Sequence, residues 1–210
     1  MGRAKEIVLK VIPSKVANEF VKKHHYSGKV CMNSQLHFGC FLDKKLGGVM
    51  SYGCPIDKRK VIGLVSKTKW NEFLELNRMA FSDLLPKYSE SRCISISMKL
   101  LKKNAPHIKW VLSFADGTQC GDGTIYRASG FKLIGIKKNT TIYKLQSGET
   151  IAKHGTSKKD FTGAERLNGY QLKYIYFIDK TKEKNLTVPI VPFSKIKEMG
   201  IGMYKGKLRG

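Results

Sequence analysis

The stretch WVLSFADGTQCGDGTIYRASGFKLIG, Trp110 to Gly135, limits the fold more than any other part of the chain. It opens as an apolar strand and stops at Asp116. A turn with three glycines follows, then a short helical stretch holding Tyr126, then a second apolar strand. Strands joined through helices imply parallel pairing within a mixed sheet. The same stretch raises a chemical question, because a buried strand here delivers a carboxylate to a glycine-rich turn with a tyrosine about one helix later. Asp116 is compatible with two readings, a turn or capping aspartate and a group that faces a pocket together with Tyr126.

The remaining pattern extends this unit in both directions. EIVLKVI, Glu6 to Ile12, alternates and reads as a strand. Pro13 and Ser14 start a helix, with Ser14 as its cap, an apolar stripe of Ala17, Phe20 and Val21, and an end at HHYSG where Gly28 stops it. Leu36 to Gly53 is two strands around a lysine-rich turn, and Phe73 to Ser82 is another strand. ISISMKLLKKN gives a helix, the opening unit follows, and Thr140 to Gln146 is a further strand. Ser147 to Gly169 is polar and reads as a long loop, before a strand at Tyr170 to Ile178, a short helix and a basic tail. The expected class is α/β, a mixed central sheet flanked by helices. Its division is a catalytic domain over residues 1–146, with 147–210 a basic loop, extra strand and tail packed on it.

Charge narrows the partner. The 210 residues carry 39 lysines and arginines against 16 acidic residues, a formal net charge of +23. That field favours a polyanion, and nucleic acid is the commonest one. Lysine-rich segments such as KKHHYSGK, DKRK and YKGKLRG recur between structured parts, often near aromatics. Such loops supply affinity and salt dependence with little sequence preference. In the tail, Lys205, Lys207 and Arg209 are candidates for phosphate contact. Tyr26, Tyr52 or Trp70 could stack on an extruded base, which chemistry on a duplex base requires. No apolar run approaches the ~20 residues of a membrane span, so no membrane association is expected. The N-terminus does not read as a signal peptide. Five cysteines at irregular spacings argue against a disulfide framework and for a reducing cytoplasm. Without a paired Cys-x-x-Cys or zinc-like His/Cys spacing, no metal is expected.

The element order resembles the GNAT superfamily of acyltransferases, and GTIYRASGFKLIG resembles that superfamily's last helix and strand. The resemblance implies a sheet that splays between the fourth and fifth strands, with acyl donor and acceptor meeting in the gap and Tyr126 protonating the leaving group. It also implies a donor loop at RCISIS, with Arg92 in place and Ser95 and Ser97 where glycines stand in the superfamily. A serine side chain narrows the approach to a pyrophosphate. HHYSGK, LHFGCFLDKKLGGVMSYG, ELNRMAFSD and SFADGTQCGDGTIYRASGF are similar to the Mom family of bacteriophage DNA-modification proteins. That likeness implies conversion of adenine in double-stranded phage DNA to carbamoylmethyl-adenine, protecting it from host restriction enzymes. It implicates His25, Arg78, Ser91, Asp116 and Tyr126.

Each candidate also has a plainer reading. Asp116 can orient the exocyclic amine of adenine and take its proton, or simply form a turn. Tyr126 is the acid, or a core aromatic against Phe131. Arg78 stands in an apolar strand, where an unpaired arginine is expensive, so contact with phosphate or carboxyl is expected. Ser91, Arg92 and Ser95 are read as donor-binding, although serines near a helix start are commonly caps. His24 and His25 end a basic helix, where solvated histidines are ordinary, and His25 can instead reach the pocket. The family's product equals adenine plus glycine minus water, which points to an activated glycine such as glycyl-tRNA. The superfamily points to acetyl-coenzyme A. A conventional N-acetyltransferase and a non-enzymatic nucleic-acid-binding protein remain as alternatives.

Overall fold

The computed structural model describes residues 2–118, 121–152, 160–204 and 207–208. In chain order the elements are β1 (Val8–Val11), α1 (Ser14–His24), β2 (Ser34–Leu42), β3 (Lys45–Gly53), α2 (Lys58–Ile62), β4 (Phe73–Phe81), α3 (Ser89–Asn104) and β5 (Trp110–Asp116). They continue with α4 (Thr124–Ala128), β6 (Lys132–Asn139), β7 (Ile142–Lys144), β8 (Thr150–Ala152), β9 (Glu165–Arg166), β10 (Gly169–Phe177) and α5 (Ser194–Glu198), and end with β11 (Met203–Tyr204) and β12 (Lys207–Leu208). The principal sheet has the strand order β1-β2-β3-β4-β5-β10-β6. β1 to β4 pair antiparallel, and β4 pairs in parallel with β5. The chain is thus α/β with a mixed sheet, as its element order implies. Contacts group it into two compact units, Met1–Ser113 with Ala128–Phe131 and Ile175–Pro189, and Phe114–Arg127 with Lys132–Tyr174 and Ile190–Gly210. Residues 146 and 147 fall within the same unit.

In the first unit the sheet carries a helix on each face. α1 lays Ala17 and Val21 on Val49 of β3 and Ala80 of β4, inside a ring of Ile12, Phe20, Val30 and Leu46. Burying each such aliphatic side chain contributes about 1.5–3 kcal/mol. α3 takes the other face, where Cys93 meets Cys40 of β2 and the Ser97 hydroxyl lies 2.6 Å from that of Tyr52. At the β4–β5 end, Phe73 stacks on Trp110 with centroids 4.4 Å apart, and the Trp110 indole N–H donates to Thr68.

Two irregularities shape the centre of this sheet. The parallel ladder of β4 and β5 runs only from Phe73↔Trp110 to Leu76↔Ser113, although β4 continues to Phe81 and β5 to Asp116. The ladder is therefore four residue pairs long. Beside its end Leu76 opposes Tyr52 and Arg78 opposes Ser51, so Asn77 is an extra residue, a β-bulge. The Ser113 hydroxyl donates to the Leu76 carbonyl, and the Arg78 guanidinium to that of Asn77. Side chains thus satisfy backbone acceptors where the ladder ends.

Several expected boundaries move. The first strand is Val8–Val11, because Arg3–Glu6 coils into a 3-10 turn in which Arg3 bonds Glu6 and reaches Asp43. Pro13, not Ser14, caps α1: its extended backbone presents the carbonyl to Ala17 N–H, and Ser14 makes no capping bond. That helix ends at His24, and Gly28 instead closes the next turn at φ +59°. α3 begins at Ser89, five residues before the expected ISIS start, so Arg92, Ser95 and Ser97 lie inside the helix. The stretch expected as a loop from Ser147 to Gly169 contains β8 and β9, which pair with β7 on its two sides. Strands of three and two residues are too short for alternation to reveal them.

Gly53 ends β3 where it faces Ser34 on one side and Glu75 on the other. A Cβ there would collide with the carbonyl of Asn33. Gly53→Ala is therefore expected to lower unfolding free energy by about 1–3 kcal/mol, as overpacking against backbone does. Urea denaturation checks this, and a loss below about 0.5 kcal/mol would show that the turn at Asn33 yields freely.

Candidate functional site

The first unit brings His25 and Arg78 together, and the bulge explains how. On β4, Ala80 lies under α1, and Arg78, two residues earlier, projects from the same face. α1 runs along that face and ends beside it at His24, so the following residue, His25, meets the guanidinium. Arg78 donates through Nε to the Lys29 carbonyl at 2.9 Å and through Nη1 to the Asn77 carbonyl at 2.7 Å. These bonds to backbone carbonyls tie down the segment after α1. Both acceptors are neutral, so the guanidinium charge acts on its surroundings.

His25 feels that charge. Burial first, and Arg78 second, push its pKa down from 6.5 to about 4, so the ring is neutral at pH 7. The Ser27 backbone N–H donates to Nδ1 at 3.2 Å, and the Ser27 hydroxyl lies 2.8 Å from the same nitrogen. Nδ1 is the acceptor, which leaves the ring proton on Nε2. A neutral, oriented imidazole of this kind donates a hydrogen bond without adding charge. Tyr26 packs beside it with the rings tilted and their centroids 4.2 Å apart, and is 51% exposed.

Residues missed in the sequence complete this cluster. Glu75 has its carboxyl pushed up by burial, opposed by the nearby Asn77 amide and the charge of Arg78, while the buried Asn77 amide nitrogen makes no hydrogen bond. The Asn77 amide oxygen accepts from Ser34 at 3.1 Å. His37 and Ser51 bond at 2.8 Å in the interior, and burial lowers the His37 pKa. The available signal was the polar triplet within ELNRMAF, three polar groups in an otherwise apolar strand.

The other first-unit candidates lie elsewhere on it. Tyr52 is a correction: it is 0% exposed and spends its hydroxyl on Ser97, so it cannot stack on an incoming base. It sits under α3 because it opposes Leu76 and packs edge-on against Phe38. Ser91 is the third residue of α3 and donates to the Tyr88 carbonyl at 3.3 Å. Arg92 donates to the Lys5 carbonyl at 3.2 Å, while its buried Nε has no partner. Ser95 is exposed one turn on. These three share a helix, not a glycine-lined opening.

The second unit holds Asp116 and Tyr126. Asp116 Oδ1 accepts from the Thr118 N–H at 2.9 Å, which orients the carboxyl group in a turn. Tyr126 is buried and stacks on Tyr174 with centroids 5.1 Å apart. The Tyr174 hydroxyl donates to the Asp122 carbonyl at 2.7 Å, and burial followed by the Asp122 charge raises its pKa. This explains one glycine of the turn. Gly123 has φ +74°, and any Cβ there would meet the Tyr174 hydroxyl. Lys205 and Arg209 lie outside the described residues, and Lys207 is described only as backbone in β12. Among the described residues, no group of three His, Cys, Asp or Glu side chains is placed to hold a metal ion, and no helix is long and apolar enough to cross a membrane.

Comparison with known proteins gives three kinds of likeness. The model of the Mom protein family matches residues 6–195. The chain is 30% identical over 200 residues to the methylcarbamoylase mom of Escherichia phage Mu, covering 89% of this chain and 82% of that protein. Among solved structures, a GNAT family acetyltransferase from Elizabethkingia anophelis with acetyl-CoA bound matches at TM-score 0.51 and 13% identity, over 82% of this chain and 98% of that one. The spermidine/spermine N-acetyltransferase of Vibrio cholerae, in complex with manganese ions, matches at TM-score 0.54 and 8% identity, over 87% and 99%. At such identities these structures establish the GNAT-like fold and nothing further.

The neutral state of His25 has a measurable consequence. An unfolded chain protonates this histidine near pH 6.5, ahead of the folded protein, so stability present above pH 6.5 is lost as pH falls toward 4. The expected loss is up to about 3 kcal/mol at 1.36 kcal/mol per pKa unit. His25→Gln is expected to flatten that acid limb relative to wild type while His37 still titrates in both. Identical pH profiles of unfolding free energy would show that His25 is not held neutral.

Proposed function

This chain belongs to the Mom protein family, and we propose that it is a transferase that converts adenine in double-stranded phage DNA to its carbamoylmethyl form within the host cytoplasm. The modified base would shield the DNA from host restriction enzymes. The family match across residues 6–195 carries this reading. The net charge of +23 supports a polyanionic substrate.

The roles follow from chemistry. The exocyclic amine of adenine is a poor nucleophile because its lone pair is delocalised into the ring, so Asp116 orients it and accepts its proton. Tyr126 protonates the departing oxygen. Neutral His25 donates from Nε2 to an acceptor on the base or the donor, and Tyr26 stacks on the extruded adenine. Arg78 holds the segment that carries both.

The donor in this reading is an activated glycine ester, for which glycyl-tRNA is the natural form. The amine attacks the glycyl carbonyl, a new C–N bond forms, and the ester oxygen leaves with a proton. The free glycyl amine then attacks the ring carbon through a five-membered transition state. The original ring C–N bond breaks, leaving the carbamoylmethyl group on the new nitrogen. Atoms balance without an oxidant. Acetyl-coenzyme A, held by a protein of the same fold, would need an oxidation and an added nitrogen. The helical setting of Arg92, Ser95 and Ser97 also lacks the glycines that let backbone approach a pyrophosphate.

Two measurements test these assignments. Asp116→Asn is expected to lower modification by about 10²- to 10⁴-fold, with DNA affinity within about twofold of wild type, given a role on the amine and not the phosphates. Nucleoside mass spectrometry reads the outcome, and near-normal modified deoxyadenosine in a folded variant removes Asp116 from the mechanism. Purified protein supplied with DNA and glycyl-tRNA labelled at the glycine nitrogen should place the label on the purine ring carbon. Modification with acetyl-coenzyme A alone, or product without label, would rule out the glycyl route.

A further inference from the structure

Two large apolar side chains project into solvent at the end of the sheet beside His25 and Arg78. Met32 is 87% exposed and Ile56 is 85% exposed. Neither placement is accidental to the backbone. Met32 sits at the corner of a turn closed by Ser34 N–H to the Cys31 carbonyl at 3.1 Å. Ile56 lies in the turn that leads into α2. The two turns adjoin, since Ser34 opposes Gly53 and the Asn33 carbonyl lies against the Cα of Gly53. The segment from Tyr26 to Met32 is also anchored at Lys29 by Arg78.

Cations flank Ile56. Directly after Ile56 come Lys58, Arg59 and Lys60, against the single carboxylate of Asp57. Lys58 is held with Nζ 4.6 Å from the Trp70 ring and 5.3 Å from that of Phe73, Lys60 pairs with Asp57 at 2.8 Å, and Arg59 is exposed. Exposed apolar tips flanked by basic side chains match what a bent or opened duplex needs. The cations neutralise phosphates, and an unbranched or β-branched aliphatic side chain enters between base steps.

We propose that Met32 and Ile56 form a wedge that enters the base stack of duplex DNA and occupies the gap left by the extruded adenine. This rests on the DNA-adenine reading above. Extruding a paired base costs a few kcal/mol of stacking and pairing. Filling the gap offsets part of that cost and slows return of the base. Tyr26, on the same tethered segment as Met32, then receives the adenine. The wedge belongs to the first unit alone, and its partner is double-stranded DNA.

The proposal separates from a general DNA contact by its dependence on base pairing. Purified wild type and Met32→Ala/Ile56→Ala are compared on duplexes containing 2-aminopurine in place of one adenine, whose fluorescence rises on unstacking. Affinity is measured on a fully paired duplex and on one with an abasic site opposite the target adenine. Wild type is expected to raise the fluorescence, and the double variant to lose most of that rise. Its affinity should fall on the order of tenfold for the paired duplex but by less than about twofold for the abasic-opposed one. Unfolding midpoints confirm that both proteins are folded, and Met32→Leu should restore function at that position.

A variant that retains the full fluorescence rise overturns the wedge. So does equal weakening on both duplexes, which marks an ordinary contact, or a wild-type dimer that the variant converts to monomer, which marks a self-association surface. Nucleoside mass spectrometry on wild-type-modified DNA tests the underlying reading separately. Modified deoxyadenosine together with an unaffected variant defeats the wedge alone. Absence of modified deoxyadenosine defeats both.

Discussion

The bulge at Asn77, set where the β4–β5 ladder ends, governs the first unit's site. Pairing runs to Leu76↔Ser113 and stops, so β4 can accept an extra residue without breaking bonds to β5. The extra residue decouples the faces on either side. Leu76 stays with Tyr52 under α3, while Arg78 turns to the face covered by α1. Two side chains of equal parity in the sequence thereby serve opposite purposes, one filling the core and the other reaching His25. Bulges commonly re-aim side chains next to sites of chemistry.

Arg78 then organises what lies over it. A guanidinium needs several acceptors, and β4 and the segment after α1 both offer carbonyls. Its charge also reaches two titratable neighbours with opposite consequences. It disfavours protonation of His25 and favours ionisation of Glu75, whose burial works against that. The result is a histidine held neutral and a carboxyl group whose pKa burial raises, both within reach of one guanidinium.

In the proposed reaction on DNA, charge and apolar exposure would divide the work of binding. Lysines scattered between structured parts give long-range attraction without sequence preference, and a net charge of +23 makes that attraction strong. Attraction alone does not present a base for reaction. The features near His25 that extend beyond the charged surface, Tyr26, Met32 and Ile56, are apolar or aromatic. They suit contact with bases, whose faces are apolar, more than contact with phosphates.

How much of this was legible in the sequence depends on the length over which each signal repeats. Alternation along Phe73 to Phe81 and the apolar run from Trp110 are long enough to declare strands, and the glycines after Asp116 declare a turn. The excess of lysine declares a polyanionic partner by itself, because net charge does not depend on folding. Motif likeness singled out His25, Arg78, Asp116 and Tyr126. The short strands β8 and β9 were not legible, and neither was the start of α3 at Ser89 within a polar stretch. Tyr52 looked as available to a base as Tyr26, because an aromatic at a strand end carries no label for its face. Sequence therefore determined the element types, the charge and the chemical repertoire, all properties of residues and their near neighbours. Tertiary structure alone decided which face each side chain takes, since one inserted residue at Asn77 reverses the alternation that any sequence reading must assume.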